Sequence, residues 1–92
     1  MLSQLRFPVE IAKEVAERFK IKRKSQKFTQ VELSERTGVS LGSLKRFEQT
    51  GEISFVSLIK IAMVLDEVEE FDKLFARKEY RSIQEVIDER NQ

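Results

Sequence analysis

The sequence predicts an all-α fold, and three observations carry that prediction. Apolar residues recur at helical spacing along most of the 92 residues, and no segment alternates at period two for long enough to make a strand. Three segments open on one cap pattern, in which a Ser or Thr has an apolar residue just before it and another four positions after it. Two glycines stand where helices must stop.

Taken in order, the first helix starts near Pro8, a residue suited to a first helical turn, and runs to about Lys24 with Ala12, Val15, Ala16 and Phe19 on one face. The next three starts are Thr29 between Phe28 and Leu33, Ser40 between Val39 and Leu44, and Ser54 between Ile53 and Leu58. Thr29-Gln-Val-Glu32 is also a full capping box. With Gly38 and Gly51 as left-handed stops, these starts predict helices over 30–37, 41–49 and 55–65. A fifth helix is expected from Glu67 to Phe75, with Val68, Phe71, Leu74 and Phe75 along one stripe. A short terminal helix should follow the capping box Ser82-Ile-Gln-Glu85.

A chain of this length is one small domain, which buries roughly 60–65% of its unfolded surface. The sequence has neither His nor Cys. Disulfides, the usual zinc ligand sets and histidine-activated nucleophiles are therefore excluded, and neither enzymatic activity nor a cofactor is expected. No run approaches the roughly 20 apolar residues of a membrane span, and Met1 to Pro8 lack the apolar core of a secretory signal, so a cytoplasmic protein away from membranes is expected.

The net charge of +1 conceals an asymmetry. Residues 1–51 carry 11 Lys and Arg against six Asp and Glu, whereas residues 52–92 carry six against ten. The basic half includes the run Lys20 to Lys27, then Arg36, Lys45 and Arg46, as expected of a surface that meets phosphates.

The segment 29–51 places two short helices across a tight turn at Gly38. Leu33, Val39, Leu44 and Phe47 form the packed face, and Ser43, Lys45 and Arg46 are left on the other, as a helix entering the DNA major groove requires. This segment resembles the helix-turn-helix of the XRE family of lambda-repressor- and Cro-like regulators. The matching residues are Thr29-Gln30, Glu32-Leu33, Gly38-Val39-Ser40, Leu44, and Glu48 ahead of Gly51. The resemblance covers about residues 9–75 and implies a compact five-helix lambda-repressor-like DNA-binding domain, which takes residues 1–78 and leaves a tail or short helix over 79–92.

It also implies roles. Gln30, opening the second helix beside Thr29, would lie against a phosphate. The first turn of the third helix, Ser40 to Ser43, would face base edges, with Arg46 one turn on. Leu41 and Gly42 depart from the polar pair common in the family and offer no amide for adenine. Leu41 can still meet a thymine methyl group, and Gly42 allows close backbone approach. Arg46 is the best candidate for guanine, Lys45 and Ser43 suit a base or a phosphate, and Lys27, Gln49 and Thr50 suit phosphates. In the family, Arg23 would pair with Glu48 inside the domain, and Lys22 stands where an apolar residue is usual.

A reader of half-sites needs a dimer on a palindromic operator. The apolar residues Phe71, Leu74, Phe75, Ile83, Val86 and Ile87 are the candidates for that contact or for a partner, with closure of the domain's own core the alternative for Phe71 and Leu74 above all. The run Gly38 to Glu48, Gly51-Glu-Ile-Ser54 and Phe71-Asp-Lys-Leu-Phe75 is further similar to antitoxins of Hip-type kinase toxin-antitoxin modules. That likeness implies an autoregulating repressor and a HipA-like serine/threonine kinase as partner. The alternative is an interaction module that keeps the fold without binding DNA.

Overall fold

The computed structural model describes residues 6–77 and 83–90, with the side chains of 83–86 left aside. Six helices make up these residues: α1 (Pro8–Ser25), α2 (Gln30–Thr37), α3 (Leu41–Thr50), α4 (Phe55–Val64), α5 (Glu69–Lys73) and α6 (Ile83–Arg90). No strand occurs among them.

Each of the three expected caps forms. The hydroxyls of Thr29, Ser40 and Ser54 accept from the backbone N–H of Glu32, Ser43 and Ser57 at 3.0, 3.1 and 3.1 Å. Glu32 completes the box by accepting the Thr29 N–H at 3.1 Å. Gly38 and Gly51 end α2 and α3 at φ 76° and 82°, where a Cβ would be strained. Helices α1 and α4 end without glycine, and left-handed Lys27 and Asp66 follow them at φ 63° and 62°.

The staple residues converge on one core. Ala16, Leu33, Val39, Leu44, Phe47, Ile61, Ala62 and Leu65 are buried, and Phe19, Phe28, Ile53, Leu58 and Val64 pack around that centre. Phe19 of α1 meets Phe47 of α3 edge to face, with ring centroids 5.7 Å apart. Burying each such Leu or Phe contributes about 1.5–3 kcal/mol, enough to hold these short helices together.

The fifth helix departs from expectation. It covers five residues where nine were expected, because Val68 supplies no side-chain cap and no residue of the helix is buried. Leu74 is already extended, and Phe75 is left-handed at φ 56° and 95% exposed. The helical stripe through Leu74 and Phe75 therefore does not exist. Phe71 remains helical and packs against Phe55 of α4, centroids 5.7 Å apart. The Ser82–Glu85 capping box, the boundary at 78/79, and the surroundings of Ile83 and Val86 lie outside the described residues.

Candidate nucleic-acid interface

The turn between α2 and α3 is set by side chains of α2. Ser34 Oγ donates to the Val39 carbonyl at 2.6 Å, Thr37 Oγ1 donates to the Leu33 carbonyl at 2.7 Å, and the Val39 N–H returns to Thr37 Oγ1 at 3.1 Å. With this turn fixed and Leu44 and Phe47 buried, α3 turns the opposite face outward. Gly42, Lys45, Arg46 and Gln49 are exposed at i, i+3, i+4 and i+7, with exposed Ser43 beside them. Leu41 is half-buried at the edge of this stripe. Gly42 has open space around it, and a Cβ there would meet nothing within 4 Å.

A buried polar network anchors α3. Arg23 donates from Nε to Glu48 Oε2 at 2.7 Å and from Nη2 to Oε1 at 3.0 Å, and its Nη1 donates to the Phe28 carbonyl at 2.8 Å. Gln30 Nε2 donates to the same Oε1 at 3.0 Å, so α1, α2 and α3 meet on one carboxylate. A charge pair this enclosed holds register because each of the three guanidinium nitrogens has an acceptor.

The remaining expected contacts are distributed unevenly. Lys27 is exposed just beyond α1, while the hydroxyls of Thr29 and Ser40 are occupied as caps, Ser40 Oγ also donating to Ser43 Oγ at 2.8 Å. Gln30 spends one of its two amide hydrogens inward on Glu48, so that only the other is left to donate to a phosphate. Thr50 closes α3 and its hydroxyl donates to the Arg46 carbonyl at 2.8 Å, a backbone contact. The basic run is thinner than its sequence suggests. Arg23 is buried, and Lys22 Nζ pairs with Glu67 Oε1 at 2.5 Å, where the hydrogen bond and charge of Glu67 raise its pKa above 10.5. Arg36 lies over the Phe28 ring, 4.9 Å from its centroid.

Three contacts had no legible signal in the sequence: Gln30 to Glu48, Lys22 to Glu67, and the exposed pair of Arg46 with Glu52. The first two join helices whose packing had first to be known, and the third depends on how the chain turns at Gly51. A fourth, Gln26 Nε2 donating to the Leu65 carbonyl at 2.8 Å, closes the end of α4 from the end of α1. A groove of about 600 Å³ lies between α1, α4 and α5, lined by Val15, Phe19, Phe55, Leu58, Phe71 and Leu74 among others.

Two capped helices across a left-handed glycine, the second exposing a polar stripe over a shared core, define a helix-turn-helix domain. A family model described as helix-turn-helix matches residues 19–71, more than half of the chain. The chain belongs to this XRE-type family of DNA-binding regulators. No curated protein matches it. No helix among the described residues is long and apolar enough to cross a membrane.

Proposed function

We propose that this chain is a sequence-specific transcriptional repressor that binds a palindromic operator as a homodimer in the cytoplasm, each protomer laying α3 in the major groove of one half-site. The observation that carries this reading is the exposed stripe Gly42, Lys45, Arg46 and Gln49 on a helix whose other face is core. Arg46 reads a guanine, Lys45 and Ser43 meet a base or a phosphate, and Leu41 and Gly42 approach the bases closely. Lys27, Thr29, Gln30, Ser40, Gln49 and Thr50 border the phosphates and set the docking register.

Dimerisation follows from half-site geometry, since two recognition helices must stand about 34 Å apart, one DNA turn. Apolar exposure at Leu74, Phe75 and Ile87, at 47%, 95% and 44%, supports a contact through the chain beyond α4, to which Phe71, Ile83 and Val86 are assigned as well. A narrower reading makes the chain the autoregulating antitoxin of a HipA-like serine/threonine kinase module. Val56 and Met63, exposed on α4, leave apolar surface outside the residues assigned to the dimer on which such a partner would sit.

The test is selection from a randomised duplex pool by the full chain, followed by affinity against salt and by sedimentation. An enriched inverted repeat, a dimer on it, and a log–log salt slope of about −0.9 per phosphate neutralised support the reading. No enrichment together with a flat salt response refutes it and leaves an interaction module.

A further inference from the structure

One acidic side chain stands on the DNA-reading face, beside the arginine assigned to a base. Arg46 projects from the middle of α3 and Glu52 from the loop after it, their side chains 68% and 61% exposed. Arg46 Nε donates to Glu52 Oε2 at 2.8 Å, and Nη2 donates to the same oxygen.

The backbone that carries this pair is held in two ways. The Thr50 hydroxyl donates to the Arg46 carbonyl at 2.8 Å and accepts the Glu52 N–H at 3.1 Å, bridging one residue to the other. Gly51, at φ 82°, lies so close to α1 that a Cβ on it would stand 2.6 Å from the Ala12 carbonyl carbon. The loop bearing Glu52 cannot slide along α3 without displacing α1.

A carboxylate on a face that meets phosphates weakens binding through like-charge repulsion, and an exposed ion pair adds little to folding stability. The guanidinium itself supplies a reason for the arrangement. It presents five N–H groups in a plane. Glu52 takes the Nε–Nη2 edge with one oxygen. The Nη1–Nη2 edge remains, with one hydrogen from each nitrogen, and it is the pair of parallel donors that fits guanine O6 and N7. A long exposed side chain otherwise loses rotamer freedom when it binds, at a cost to affinity. An arginine already held in plane loses less, and gains only where a guanine meets the open edge.

We infer that Glu52 is a positioning residue for sequence discrimination: it presets the Arg46 guanidinium for guanine and repels a duplex that offers no guanine at that place. The inference rests on the DNA-reading function proposed above. It explains why a face with exposed Lys45 and Arg46 also carries an acid.

Full-length wild type, Glu52→Gln, Arg46→Ala and the double variant are tested on the duplex enriched from a randomised pool, on its single-base-pair variants and on random duplex at one salt concentration. Wild type should require G·C at one position per half-site, and Arg46→Ala should lose about 5–150-fold of that preference. Glu52→Gln should lose several-fold of the preference at the same base pair while binding random duplex as tightly as wild type or tighter, with its thermal midpoint unchanged. In the Arg46→Ala background it should remove nothing more. If Glu52→Gln strengthens binding to enriched and random duplex by one factor, with preference intact, the inference is overturned and Glu52 is only a repelling charge. A loss of preference that persists equally without Arg46 overturns it as well, because the carboxylate then acts by another route. Wild type that enriches no sequence overturns DNA reading itself, and the inference falls with it.

Discussion

The Arg23 guanidinium grips both oxygens of the Glu48 carboxylate, Nε to Oε2 at 2.7 Å and Nη2 to Oε1 at 3.0 Å, and so ties α1 to the recognition helix. The two side chains are only 8% and 5% exposed. Neither has water to fall back on if its partner is lost. Arg23→Ala should therefore cost about 3–5 kcal/mol in urea unfolding, because it leaves a buried carboxylate without a counter-charge and with only the neutral Gln30 amide beside it. Replacing both residues by apolar ones of similar volume should cost less than the two single changes together. A loss below about 1 kcal/mol for Arg23→Ala would show that the pair is not an anchor.

The two left-handed glycines should respond differently to alanine. At Gly38 nothing lies within 4 Å of a built Cβ, so Gly38→Ala carries only the left-handed backbone strain, about 1 kcal/mol. At Gly51 the same Cβ would sit 2.6 Å from the Ala12 carbonyl carbon and 2.8 Å from the Lys13 nitrogen, which are backbone atoms. Gly51→Ala should add displacement of α1 to the strain and cost about 2 kcal/mol or more. Equal losses at the two sites would contradict the close approach of α1 to Gly51.

Glu32 links the start of α2 to pH. Its pKa is lowered from 4.5, first by the hydrogen bond from the Thr29 backbone and then by that from the Thr29 side chain. A folded-state pKa below the unfolded one means that this contribution is complete above pH 4.5 and is lost as pH falls through the lower, folded value. Glu32→Gln should be less stable than wild type at neutral pH, and the two unfolding curves should approach each other in acid. A gap that stays constant on acidification would exclude the charged cap as its source.

Gly42 separates folding from reading. In a helix interior glycine is worse than alanine by up to about 1 kcal/mol and in a first turn, where Gly42 stands, by less, and the open space at this position admits a methyl group. Gly42→Ala should raise the thermal midpoint. If α3 brings this turn against base edges, the same change should weaken operator binding while leaving affinity for random duplex nearly unaltered. A variant that is more stable and binds the operator as well as wild type would place Gly42 away from the bases.

The legible parts of this protein are those whose causes lie within a few residues of one another. The caps at Thr29, Ser40 and Ser54, the box with Glu32 and the stops at Gly38 and Gly51 are hydrogen bonds and dihedral preferences spanning three to five positions. The sequence alone placed them. The periodic apolar residues then named most of the core, Leu33, Val39, Leu44 and Phe47 among them. Local rules misjudged α5, where an apolar stripe without a cap or a buried residue could not sustain a full helix. They also marked no stop at Lys27 or Asp66, which are left-handed without glycine.

Sequence by itself determined the class of fold and which helix presents the polar stripe, because helix boundaries and burial follow from short-range spacing. Only the tertiary structure decided which charges remain on that face. Lys22 goes to Glu67, the Gln30 amide joins the Arg23–Glu48 pair that the family resemblance implied, and Arg46 is held by Glu52, since such contacts form only where packing brings two side chains within reach. Spacing along the chain carries no record of that distance.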